Sequence, residues 1–223
     1  MNALLCGLEG TGRRVPSREE FADALSDASA TLRAAFPSAS VIDYDSERLS
    51  VAYGLLAAFG ERRGREMTFL VQAAPLIAQR PSRRTRRRAE RDIVQLAASL
   101  RLPLTSLAVI CALSCVYESP SSADGSIGRG VLKPHLSYVE DDAYNAVADV
   151  QALEVFGVTL AVSGGRAALV TRDRALTNLW LCLHMDRLAF GDEQFNTTMT
   201  PSPDLFPDLS EEEVRDLVIR LAS

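Results

Sequence analysis

Apolar residues recur at helical spacing through most of the chain. Ser17-Arg-Glu-Glu20 has the Ser-x-x-Glu spacing of a capping box, and Phe21, Leu25, Ala28, Leu32 and Ala35 follow three or four apart, which predicts a helix over 17–35. Leu49 through Phe59 predict a second helix that Gly60 can stop. Residues 67–78 predict a third, with Pro75 kinking or ending it. Ile93, Leu96, Ala97 and Leu100 mark a fourth over 89–100. The apolar run 107–117 is long enough for a helix, yet rich enough in β-branched residues to leave a strand open. A further helix over 142–160 has acids at its start and a stripe through Val147, Val150, Leu153 and Phe156. Residues 175–183 begin another, and Ser210-Glu-Glu-Glu213 repeats the capping-box spacing at the head of a last helix.

Between these helices lie short apolar runs of strand character: 39–43, 102–106 and 166–171. Strands alternating with helices predict an α/β fold, a three-layer sandwich that is helix-rich around a short, mostly parallel central sheet. The Ser- and Gly-rich stretch 119–130 reads as a loop. The organisation expected is an N-terminal helical extension over 1–38, an α/β domain over 39–200 with an arginine-rich insertion at 80–91, and a C-terminal loop and helix over 201–223 packed on that domain.

Composition sharpens one part of this picture. The chain of 223 residues is 47% apolar and 24% charged, which excludes disorder as a description of the whole and allows a sizeable core. Its net charge is −5. Lys133 is the lone lysine, and seven arginines stand between 80 and 91 against one acid, Glu90. That dozen carries +6, and the rest of the chain carries −11. Arg83, Arg84, Arg86, Arg87, Arg88 and Arg91 are therefore candidates to neutralise phosphates, and the scarcity of aromatics among them points to recognition of backbone rather than stacked bases. The competing reading is a solvated helix start paired with acids elsewhere on the chain or on a partner.

Cys6, Cys111, Cys115 and Cys182 have no metal-ligand spacing and are expected as reduced thiols, 111 and 115 buried. No basic, then apolar leader opens the chain, and no apolar run reaches the roughly 20 residues of a membrane span, so a cytoplasmic protein with no membrane partner is expected. The Gly7-Leu-Glu-Gly-Thr-Gly12 stretch lacks the strand and the Gly-Lys-Ser/Thr end of a phosphate loop. His135 and His184 read as structural, and Trp180 as core or subunit contact.

Two of the short runs deliver an acid at or just past their ends, Asp43 and Asp173. Acids at the carboxyl ends of parallel strands can converge, and an all-oxygen ligand set suits Mg²⁺ or Mn²⁺ and water-activated phosphodiester hydrolysis. Here the chain resembles the PIN-domain family of metal-dependent nucleases. Ala168-Leu-Val-Thr-Arg-Asp-Arg-Ala-Leu176 matches the family's last acidic motif, Tyr144-Asn-Ala-Val-Ala-Asp149 offers the acid on the preceding helix, and Ile42-Asp-Tyr-Asp-Ser46 approximates the opening motif. The resemblance implies that Asp43, Asp149 and Asp173 hold the metal, that Glu118 completes the acidic set, and that Thr171 orients a ligand carboxylate or the water. Asp45 competes with Asp43, and Asp142 is a reserve for Asp149. It further implies an endoribonuclease acting on RNA, a toxin or RNA-processing factor, with a homodimer and a neutralising protein partner among its expected associations. Against this stand two other readings: a non-catalytic α/β module that binds nucleic acid or an acidic partner through 80–91, and a helical interaction protein whose acids are only caps and surface.

Overall fold

The computed structural model of the chain describes residues 15–119, 126–191 and 194–222. The Gly7–Gly12 stretch, Cys6 and half of the expected 119–130 loop fall outside them. The chain divides into two compact units, Met1–Arg63 and Gly64–Ser223, with the division inside a helix.

In the first unit, α1 (Arg18–Ala35) starts where the capping box places it. Ser17 Oγ accepts the Glu20 N–H, and the Glu20 carboxylate accepts the Ser17 N–H at 2.8 Å. Its buried face is Phe21, Leu25 and Ser29. Helix α2 (Ser46–Ile77) fuses two expected helices into 32 residues. Gly60 does not stop it, because the residue serves packing: a Cβ there would overlap Val15 Cγ2. Pro75 is accommodated inside the helix, in its last turn. The Tyr53 ring stands 6.0 Å from Phe21, and its hydroxyl donates to the Pro16 carbonyl.

The second unit is built around α4 (Leu107–Val116), all ten of whose residues are buried. A helix that is apolar on every side must be enclosed, which decides the helix-or-strand question left open by its β-branched residues. Each Leu, Ile or Val it hides contributes about 1.5–3 kcal/mol relative to exposure. Helices α3 (Arg86–Ser99), α5 (Ile127–Leu132) and α6 (Glu140–Val162) pack against it, α7 (Arg174–Leu183) packs on α5 and α6, and α8 (Glu211–Ala222) joins the same core, which includes Phe69, Ile93, Leu153, Leu179, Phe206 and Leu217. The Ser106 hydroxyl donates to Glu66 at 2.7 Å within this core.

The expected α/β sandwich is overturned. Among the described residues the fold is helical, and the sheet present has two antiparallel strands, β1 (Met185–Gly191) with β2 (Gln194–Met199), paired from Met185↔Met199 to Gly191↔Gln194 with an irregularity between Asp186 and Ala189. No run taken for a strand is one. Residues 40–43 and 166–171 lack regular structure, and 102–106 is a turn in which the Ser106 N–H donates to the Pro103 carbonyl. The reason is visible at Val170, which is 94% exposed where a central parallel strand would be covered on both faces. Part of the expected loop also changes character, since Ser126 caps α5 by accepting the Arg129 N–H.

No helix among the described residues is long and apolar enough to cross a membrane.

Candidate nucleic-acid interface

The arginine segment enters the second unit as a turn over 83–85 followed by α3. Ser82 and Thr85 tie the turn together through their hydroxyls, 3.0 Å apart. Helix α3 then begins with Arg86, Arg87 and Arg88, has no acid in its first turn, and receives no side-chain capping bond from Thr85. Positive side chains at the positive end of a helix dipole are unfavourable, so anions from elsewhere are needed to hold them.

The C-terminal region supplies several of those anions. Arg86 Nη1 lies 2.6 Å from Asp208 Oδ2, and Arg80 and Arg83 approach the same carboxylate at 3.7 and 3.9 Å. Asp208 is itself fixed through its N–H, which donates to the Tyr117 carbonyl. Arg86 also stands over the Tyr117 ring, 6.0 Å from its centre. Arg87 reaches Glu90 at 3.2 Å and Glu213 at 3.5 Å, and Arg88 reaches Asp92 at 3.8 Å.

Glu90 is the hub on the inner side. It is buried, accepts the Tyr117 hydroxyl on Oε2, and accepts Arg220 on Oε1 at 2.7 Å. Burial pushes its carboxyl up, but the bonds from Tyr117 and Arg220 and the charges of Arg220 and Arg87 outweigh that, and the group sits below the usual glutamate range. The same contact, after burial, raises the Tyr117 hydroxyl above the ordinary tyrosine value. Beside this hub a cavity of about 460 Å³ opens, with Val94, Leu104 and Leu217 among its apolar walls and Arg91 and Arg220 among its polar ones.

The result is a division of labour among the arginines. Arg86, 12% exposed, is committed to the interior with Asp208, itself 11% exposed. Arg83 at 85% and Arg88 at 80% project into solvent, and Arg84 and Arg91 are exposed as well. Arg88 and Arg91 are three apart on α3, the spacing of one helical face, and Arg84 lies in the turn before it.

The nominated acids have other partners. Asp43, in the first unit, pairs with Arg33, while Asp45 accepts the Arg48 N–H at the head of α2. Asp173 is the N-cap of α7, accepting the Leu176 N–H at 2.9 Å, with Lys133 Nζ 4.0 Å away. Thr171 Oγ1 accepts the Asp173 N–H. Glu118 is buried and accepts Ser126 N–H at 3.1 Å and Arg129 Nε at 2.7 Å. Asp142 accepts the Val139 N–H and stands 3.3 Å from His135 Nε2. Asp149 is half-buried on α6. Among the described residues no three His, Cys, Asp or Glu side chains are grouped as metal ligands.

Asp208, Glu213 and Arg220, which organise the arm from the far end of the chain, were not among the sequence candidates. The signal that could have found them is the acid-rich tail, Asp204, Asp208 and Glu211 to Glu213, as the complement of the basic run. No protein-family model, curated protein or solved structure matches this chain.

Proposed function

We propose that the second unit is a helical binding module that holds RNA by its phosphate backbone on Arg83, Arg84, Arg88 and Arg91. The observation that carries this reading is the exposure of those four side chains on one short segment, Arg83 and Arg88 meeting acids of the chain only at 3.9 and 3.8 Å. The ion pairs of Arg80, Arg86 and Arg87 give the segment a fixed shape, and Arg83, Arg84, Arg88 and Arg91 present their charge to solvent. Arginine forks suit phosphate oxygens, and the lack of interleaved aromatics supports sequence-tolerant backbone contact.

The test is fluorescence anisotropy of a labelled single-stranded RNA against the full chain over a series of salt concentrations, with and without chelator. Four phosphate contacts on a single strand give a slope of log affinity against log salt of about −3. Replacing Arg84, Arg88 and Arg91 together by Gln is expected to flatten that slope by about 2 and to weaken binding for every sequence alike. Binding that ignores salt or survives this triple substitution would overturn the reading. Cleavage on Asp43, Asp149 and Asp173 rests on the family resemblance alone, and it enters the same assay as an outcome: shortened RNA on adding Mg²⁺ or Mn²⁺, lost in Asp173→Asn.

A further inference from the structure

Three guanidiniums share one carboxylate at the base of the arm. Arg86 closes a contact of hydrogen-bond length on Asp208, but Arg80 and Arg83, at 3.7 and 3.9 Å, are drawn to the same group without closing one. Three positive charges therefore face a single negative one. They do so at the start of α3, a helix of 14 residues that has no side-chain cap and no acid in its first turn. The arginine surplus is what calls for an anion there, since the Arg86 and Arg88 N–H groups of the first turn already donate to the Ser82 and Thr85 carbonyls.

We infer that Arg80, Arg83 and Arg86 form a seat for a phosphate monoester dianion, the chemistry shared by the phosphorylated end of a nucleic-acid strand and free phosphate. Charge selects this ligand over an internal phosphodiester. A monoester carries about −1.5 to −2 near neutral pH and matches the surplus of three guanidiniums over one carboxylate, whereas a diester leaves a positive charge unmatched. Geometry agrees with that choice. Arg86 is fixed by Asp208 and the Tyr117 ring, while Arg83 is 85% exposed and able to close on an incoming group. Asp208 takes the part of a permanent internal anion that keeps the three side chains together when the seat is vacant. Where the ligand is a strand end, the inference rests on the RNA-binding reading above and adds end recognition to it.

The experiment compares two RNA oligonucleotides of one sequence, carrying 5′-phosphate or 5′-hydroxyl, by anisotropy on the full chain, alongside calorimetry with inorganic phosphate against chloride at matched ionic strength. The phosphorylated strand is expected to bind about tenfold more tightly. Arg83→Gln, at an exposed position that leaves the Arg86 to Asp208 bond in place, is expected to remove that advantage; Arg88→Gln is expected to weaken both strands alike and keep it. Heat from inorganic phosphate that Arg83→Gln abolishes identifies free phosphate as a ligand; its absence, with the end preference intact, assigns the seat to strand ends. Equal affinity for the two ends with no heat from phosphate overturns the seat and leaves backbone binding standing. An end preference that Arg83→Gln and Arg80→Gln both leave untouched also overturns it. If neither strand binds but phosphate does, the RNA reading fails and the seat remains.

Discussion

The Ser114 hydroxyl, fully buried on α4, donates to the Leu205 carbonyl at 2.7 Å across 91 residues of sequence. Its oxygen also accepts the Gly128 N–H at 3.1 Å. One hydroxyl therefore satisfies a carbonyl beside the C-terminal region and an amide of α5, and it is the one polar side chain in a ten-residue helix of apolar ones. Ser114→Ala leaves both partners buried without a bond. The expected loss is about 2 kcal/mol, read as a lower urea midpoint with an unchanged slope.

Gly128 tests the same junction from the other side. A Cβ on this residue would overlap the Cys111 carbonyl oxygen and lie 2.7 Å from Ser114 Cβ, and a main-chain carbonyl inside a packed helix cannot step aside. Gly128→Ala is expected to destabilise by about 2–3 kcal/mol. Gly54 on α2 is the control, since nothing lies within 4 Å of its would-be Cβ. There the same substitution is expected to stabilise by about 0.5–1 kcal/mol through helix propensity. Thermal melts of the two variants should move in opposite directions.

Titration of the Glu90 hub gives a signed prediction. A carboxyl held below its ordinary value of 4.5 binds protons less readily folded than unfolded, so the stability it contributes is complete above 4.5 and is lost as pH falls through the lower folded value. Tyr117 has the opposite limit. Raised above its ordinary value of 10.0, first by burial and then by Glu90, it contributes stability that is complete below 10.0 and is lost as pH rises beyond it. Urea midpoints measured across pH should therefore fall at both ends. Glu90→Gln should shrink the acid loss and Tyr117→Phe the alkaline one; a Glu90→Gln profile as steep in acid as the parent's would contradict the assignment.

Local signals carried into the structure and long-range ones did not. Both capping boxes, Ser17 to Glu20 and Ser210 to Glu213, are formed as their spacing predicts, because all their partners lie within four residues. The 142–160 stripe is the centre of α6 for a similar reason. A strand has no such self-sufficiency: it exists only where another strand pairs with it, and among the described residues none pairs with the runs ending at Asp43 and Thr171. The arginine run was legible as charge. Its inner half belongs to Asp208, and Arg220 meets Glu90 from 130 residues away, a pairing that no local spacing encodes. Gly60 misled for another reason, since a glycine chosen for close approach to Val15 looks, in sequence, like one chosen to end a helix.

Asp173 is where capping and catalysis make different demands on one carboxylate. As the N-cap of α7 it needs only an oxygen aimed at the Leu176 N–H, which asparagine supplies as well as aspartate does. Asp173→Ala is therefore expected to cost about 1 kcal/mol and Asp173→Asn almost nothing, because the Lys133 contact at 4.0 Å is exposed and contributes little. A metal ligand needs the charge, so for Mg²⁺-dependent cleavage Asn would be as damaging as Ala. Melting temperatures and RNA cleavage measured on the same two variants separate the roles. A stable Asp173→Asn with no change in RNA behaviour leaves Asp173 a cap; equal destabilisation by both substitutions would remove even that, and loss of metal-dependent cleavage in a fully stable Asp173→Asn would give the carboxylate its second task.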